Sequence, residues 1–327
     1  MPPNPVMPEP AGPSLSRVDC PLELVLSLVV LVFVIAAAAG LAFWANRAQH
    51  DRSALVGLYL LFGLPGFLLF VAGLAAAVNG AEWGWVLLSV GLGLSLPLVR
   101  PFRVAVSKMV PIDPASPNDM TGLAIVLATV AALAFTLADS SPADSGSITT
   151  AGLVTNLLAE FALAYVIVGY RIYRNGSEAT ERLGLRRPTW MTIPIAIGFF
   201  VACYASNFLA SLLTFLFQPD LFDTLQESIP EMTGDMQNVW GAAAIGLSAG
   251  IGEEVLLRGA IQPRMGILLT SVLFALLHTQ YGLSFVNLGV FGIGVLLGLE
   301  RKYFGTTAAV ITHAGYNFTA VMLQSLS

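Results

Sequence analysis

Three short patterns combine ionisable and polar residues within otherwise apolar stretches: Glu253-Glu254-Val255-Leu256-Leu257-Arg258, Phe274-Ala275-Leu276-Leu277-His278 and His313-Ala314-Gly315-Tyr316-Asn317. A carboxylate at bilayer depth costs roughly 2.5–3.5 kcal/mol by insertion scales, so such groups persist where they have a partner or a task. Glu254 and Arg258 are four residues apart and share one helix face, where they can pair. Glu253 points about 100° away around the same helix and is free of that pair. His313 and Asn317 repeat the four-residue spacing, so two polar side chains face one point.

The chemistry open to this set is limited. A carboxylate and an imidazole holding one water can take its proton and direct the hydroxide at a carbonyl carbon. A histidine and an asparagine one turn apart can donate to the oxyanion that develops there. Together these steps hydrolyse an amide with no serine or cysteine nucleophile. The metal-dependent alternative uses Glu253, His278 and His313 as ligands of a Zn2+ ion. The His-Glu-x-x-His helix of zinc proteases is absent, and no cofactor is expected. A transporter or proton relay, and a non-catalytic scaffold that binds a membrane partner, remain as readings of other classes. No internal repeat favours the transporter.

The elements that must position these residues are membrane helices. Of the 327 residues 56% are hydrophobic and 11% charged, well below the roughly 25% charged residues of a soluble domain. Ten apolar stretches have about the length a bilayer requires: 22–45, 54–78, 83–99, 121–138, 150–170, 191–217, 238–262, 265–282, 284–299 and 305–325. The expected fold is therefore an all-α, polytopic helical bundle. Of the 15 Lys and Arg, 13 fall in alternate connections, and the intervening connections are neutral or acidic. The positive-inside rule then places the basic connections in the cytoplasm and both termini outside it. A catalytic cavity between the last helices would open toward the cytoplasm.

The division expected along the chain is a Pro-rich disordered tail at 1–21, N-terminal membrane helices at 22–180, and a catalytic membrane domain at 181–327. The tail has six prolines in its first thirteen positions and no cationic region leading into a short apolar core, unlike a cleaved signal peptide. Residues 173–190 can form a short amphipathic helix on the inner leaflet. Residues 218–237 read as a solvated outer connection or a cap on the bundle. Cys20 and Cys203 show no disulfide or metal spacing. Glu160, in the fifth stretch, lines the same cavity or pairs with Arg258, and Phe274 is core packing beside the site.

The three patterns resemble the CAAX-protease and bacteriocin-processing family, which includes the type II CAAX prenyl endopeptidases. Its Glu-Glu-x-x-x-Arg, Phe-x-x-x-His and His-x-x-x-Asn/Asp motifs match in order and spacing, over a region of roughly residues 190–327. Glu181-Arg182-Leu183-Gly184-Leu185-Arg186-Arg187-Pro188 looks like the segment that leads into that region. The resemblance implies an intramembrane glutamate-dependent protease. Glu253 would be the general base, His278 would help to bind the water, and His313 with Asn317 would form the oxyanion site. Glu254 and Arg258 would be supporting residues. The implied partners are the lipid bilayer and a membrane-associated protein or peptide, prenylated or not, with no nucleic acid. The implied location is a multi-pass position in a membrane, the plasma membrane if the source is bacterial.

Overall fold

A computed structural model describes residues 21–140 and 146–326, and the tail with Cys20 lies outside them. Helices make up 83% of the structure, and the described residues contain no strand. Among the described residues thirteen α-helices follow one another: α1 (Pro21–Arg47), α2 (Arg52–Val78), α3 (Trp83–Ser95), α4 (Arg100–Val106), α5 (Pro117–Asp139), α6 (Thr150–Ile167), α7 (Gly176–Arg182), α8 (Thr192–Phe217), α9 (Pro219–Thr233), α10 (Val239–Glu253), α11 (Gln262–Leu277), α12 (Phe285–Phe304) and α13 (Thr306–Gln324). A π-helical segment, Glu254–Ile261, joins α10 to α11.

Each of the ten expected stretches is mainly helical, though the helix of 150–170 ends at Ile167 and that of 265–282 ends at Leu277. Among the described residues six helical runs are long and apolar enough to cross a membrane, or seven if the bent pair Trp83–Leu98 and Arg100–Val106 is one span. One of the six is the 39-residue run Val239–Leu277, which Gly266 breaks at φ 74°. α12 and α13 lie outside the six for a physical reason. The first ends in Glu300-Arg301-Lys302, and the second carries His313, Asn317 and several threonines. Large apolar side chains such as Phe33, Phe67 and Phe208 are exposed around the bundle, as a bilayer solvent requires. Trp83, Trp85 and Trp240 stand exposed near one end and Trp190 near the other, the positions favoured at membrane interfaces.

The connection 218–237 is not an irregular loop. Pro219 opens α9, whose Leu225 and Ser228 are buried while its acidic residues face outward. Ile148 N donates to Met232 O at 2.9 Å, and Thr233 Oγ1 donates to Gln324 Oε1 at 2.9 Å, so this helix covers the ends of α6 and α13. Acidic composition hid an amphipathic pattern that one buried face is enough to order.

α2 and α3 form a close hairpin because their facing positions have no side chain. A Cβ added at Gly91 would lie 2.5 Å from Phe70 N and 2.6 Å from Gly66 O. Gly91→Ala should therefore lower stability in detergent by about 1–3 kcal/mol, the usual cost of overpacking. Gly40→Ala, with nothing within 4 Å, is the control and should show no loss when thermal unfolding is measured. After α3 the chain turns by 93° into α4. Buried Arg103 holds that turn by donating to Pro97 O (2.6 Å), Leu98 O (3.0 Å) and Pro114 O (2.7 Å).

The C-terminal helices pack into one unit. α13 touches α8, α10 and α12, and α6 packs against α10 and the π segment. Arg264 Nη1, at the start of α11, meets buried Asp119 of α5 at 2.9 Å and ties the two halves together. The 183–186 segment is stitched to the start of α13. Thr306 Oγ1 donates to Leu183 O, Thr306 N to Gly184 O, and Arg186 N to Thr307 Oγ1. Half-buried Arg182 lies in this basic end, where burial and then the charges of Arg264, Arg174 and Arg301 push its guanidinium down to about 10.

Candidate active site

Glu254 is fully buried at the start of the π segment. Its Oε1 accepts from His313 Nδ1 at 3.0 Å, and its Oε2 lies 3.3 Å from Arg258 Nε. The second contact is an ion pair without the alignment of a hydrogen bond, since neither atom has a directed partner. Arg258 is also fully buried, and its guanidinium carbon lies 4.9 Å from the ring centre of Phe274. A charge-neutral pair resting on an aromatic face is a means of keeping both ions in an apolar interior.

Phe274 touches three members of the site. Its ring centre is 4.6 Å from that of His278 and 5.7 Å from that of His313, besides the contact with Arg258. His278 is the residue at which α11 ends. Its Nδ1 is 2.8 Å from Phe274 O, which must accept, so the hydrogen sits on Nδ1 and Nε2 keeps its lone pair. The ring stacks on Tyr281 at 6.1 Å with an interplanar angle of 5°. Asn287 Nδ2 donates to His278 O and Ala275 O, which closes the end of α11.

His313 is buried between two partners, Glu254 at Nδ1 and Asn317 Nδ2 at 3.2 Å from Nε2. With the amide nitrogen of Asn317 toward the ring, Nδ1 carries hydrogen and Nε2 accepts. The Glu254–His313–Asn317 chain thus orients the imidazole from both sides. Asn317 keeps a second N–H for another acceptor. Glu253 stands apart from this chain. Its side chain is half-buried, and its Oε2 is buried without a hydrogen-bond partner.

The structure therefore brings Glu254, Arg258, Phe274, His313 and Asn317 into direct contact, and joins His278 through Phe274. Glu160 Oε2 lies against Gly252, the residue before Glu253. Glu300 of α12 went unnoticed in the sequence. It is fully buried, and its Oε1 accepts from Thr312 Oγ1 at 2.8 Å, one residue before His313. Its neighbours Arg301 and Lys302 made it look like part of a solvated helix end, and the preceding apolar run was the only available signal.

A zinc ion needs three or four side chains aimed at one point. Among the described residues no group of three or more His, Cys, Asp or Glu can hold a metal ion. Both ring nitrogens of His313 are engaged by Glu254 and Asn317. Glu253, His278 and His313 do not form the zinc set in this arrangement.

A cavity of about 1250 Å³ is bordered by Thr279 and Gln280, which directly follow His278, and by Glu82, Trp83, Phe135 and Asp139. It lies at the end of the bundle formed by the neutral and acidic connections, and Glu253, His278, His313 and Asn317 do not border it.

Residues 235–319 match the family model described as Type II CAAX prenyl endopeptidase Rce1-like. No curated protein and no solved structure matches the chain. The matched segment holds all three motifs, and over it this integral membrane protein is similar to the type II CAAX prenyl endopeptidases.

Proposed function

We propose that this protein is an intramembrane endopeptidase that cleaves a membrane-associated protein or peptide with water activated by Glu253 and His278. The observation that carries the proposal is that two groups are each left with a free acceptor. Glu253 offers a buried oxygen without a partner, and His278 offers an Nε2 lone pair because Phe274 O holds the other nitrogen. Either can accept from one water, and Glu253 takes the proton as the oxygen attacks the peptide carbon. The free N–H of Asn317, and His313 behind it, serve the developing oxyanion. Glu254 and Arg258 hold His313 in place without taking part in bond making. Collapse of the tetrahedral species returns the proton from Glu253 to the leaving amine.

Asn317→Ala should lower kcat/KM by about 2.7–4 kcal/mol of transition-state stabilisation, which is roughly 10²- to 10³-fold. Assay of fluorogenic peptides with the purified variant measures this directly. An unchanged rate would remove Asn317 from the oxyanion site.

The arrangement in the membrane belongs to the same proposal. The ten helical stretches pass through or enter the bilayer, the arginine-rich connections face the cytoplasm, and both termini face away from it. Residues 22–180 form the supporting helices and 181–327 the catalytic part. The test of function compares the wild-type protein with Glu253→Gln on prenylated and unprenylated C-terminal peptides, with and without a strong chelator. Cleavage that depends on Glu253 and resists the chelator supports the metal-free hydrolysis. Cleavage abolished by the chelator and restored by Zn2+ would overturn it in favour of a metal site assembled with substrate.

A further inference from the structure

The cavity of about 1250 Å³ at the neutral and acidic end of the bundle holds none of the catalytic side chains. It exceeds the roughly 300–1,000 Å³ of a small-molecule pocket and has the size for a stretch of peptide. Glu82, Trp83 and Trp85 border it from the start of α3, and Asp139 from the end of α5. Met232 comes from α9, and Thr279 with Gln280 from the turn after α11.

Charge and position select what fits this space. Glu82 and Asp139 are exposed, and neither belongs to an ion pair among the described residues. Residues 79–82, 140–149, 218–238 and 279–284, the connections at this end, contain no Lys or Arg. The acidic face of α9 adds to the same field. A cleft with apolar walls and one sign of charge focuses its field and concentrates ligands of the opposite sign. Trp83 and Trp85 are exposed as well, and indole is the side chain that attracts a cation most strongly through its ring. As for position, Thr279 and Gln280 directly follow His278, whose ring stacks on Tyr281. Ser140 Oγ donates to Thr279 O at 3.1 Å, so the end of α5 holds this turn in place. The chain that borders the cavity is therefore continuous with the residue that carries the imidazole.

We propose that this cavity docks a cationic stretch of the substrate, a peptide segment with Lys or Arg flanking the bond to be cut. The inference rests on the proposed hydrolysis at Glu253 and His278, and it names the end of the bundle from which the peptide enters. With the arginine-rich connections in the cytoplasm, that end faces away from it. The docked segment meets Glu82, Asp139 and the two indoles. The bond to be cut lies beyond the Thr279–Tyr281 turn, because neither Glu253 nor His278 borders the cavity. Docking raises the local concentration of that bond and leaves bond making unchanged, so it acts on KM. A lipid headgroup is the poorer occupant, since both carboxylates repel its phosphate.

The test is fluorescence anisotropy with the full-length protein in an uncharged detergent. The probes are peptides of one length carrying Lys, Gln or Glu at the same positions. The double variant Glu82→Gln with Asp139→Asn should unfold at the wild-type temperature, since it breaks no ion pair. It should bind the Lys peptide about tenfold more weakly than wild type does, two exposed pairs being lost. Its Kd for the Gln peptide should not change. Cleavage of the Lys peptide should show the same rise in KM at an unchanged kcat. Wild type should bind the Lys peptide more tightly than the Gln peptide, bind the Glu peptide least, and lose the difference at high salt. Equal binding of the Lys and Gln peptides, or an undiminished affinity in the double variant, would overturn the proposal. So would displacement of the Lys peptide by phosphatidylcholine in wild type and double variant alike, which would make the cavity a lipid seat. In proteoliposomes of one orientation, cleavage only of peptide supplied on the arginine-rich side would overturn the direction of entry. Charge-selective binding that the double variant abolishes, with no cleavage of any peptide, would support the dock and count against the hydrolysis.

Discussion

Glu253→Gln should insert, fold and purify like the wild type and lose about 10²- to 10⁴-fold in peptide hydrolysis, the range that a general base supplies. The amide keeps the size of the side chain and removes its ability to accept a proton. Folding should be spared because Glu253 makes no hydrogen bond through Oε2 and takes no part in the Glu254–Arg258 or Glu254–His313 contacts. Replacing an unpartnered buried carboxyl oxygen by an amide takes away no contact. The measurement is kcat/KM alongside a thermal unfolding curve. A variant that hydrolyses peptides at the wild-type rate would end the assignment of Glu253 as base, and one that fails to fold would show a structural role.

Arg258→Met should have the opposite profile, with a loss of fold larger than any specific loss of chemistry. Removing the guanidinium leaves Glu254 fully buried with His313 as its only partner. Breaking one side of a buried pair costs about 3–5 kcal/mol, mostly because the surviving ion is uncompensated. The double variant Glu254→Gln with Arg258→Met should regain much of that stability. A glutamine can still accept from His313 Nδ1, and methionine fills the space over Phe274. Thermal unfolding of the two single variants and the double variant forms a closed cycle. If Arg258→Met is as stable as the wild type, the pair contributes nothing to the fold and its role must lie in catalysis.

Helix positions were legible because a bilayer demands about 20 apolar residues in succession, a stronger pattern than most soluble folds present. The site was legible in part. Spacing gave the Glu254–Arg258 pair, and the motifs gave Phe274, His278, His313 and Asn317. Spacing could not show that His313 spends Nδ1 on Glu254, because that contact joins residues 59 positions apart. Nor could it show that Asn317 faces His313 rather than standing beside it as a second free donor. Glu160 and Glu300 expose the same limit. A carboxyl in an apolar run announces that it has a partner, and only the packing of other helices says which one. The α9 helix was missed for a different reason, since its acidic face dominates the composition of a short segment.

The widened turn between α10 and α11 has a consequence for how this protein can change. Eight residues from Glu254 to Ile261 wind with more residues per turn than the helices on either side. Loss of one residue there would let the backbone tighten to the ordinary winding, and the shorter stretch would then turn through nearly the same angle, so Gln262 through Phe274 would keep roughly their neighbours. Loss of a residue from the ordinary helix before it has no such slack and would rotate everything beyond by about 100°. The wide stretch thus tolerates a change in chain length that α10 does not. Substitutions alone would not reveal that difference, whereas single-residue deletions placed between Val255 and Ile261 and, for comparison, within α10 would.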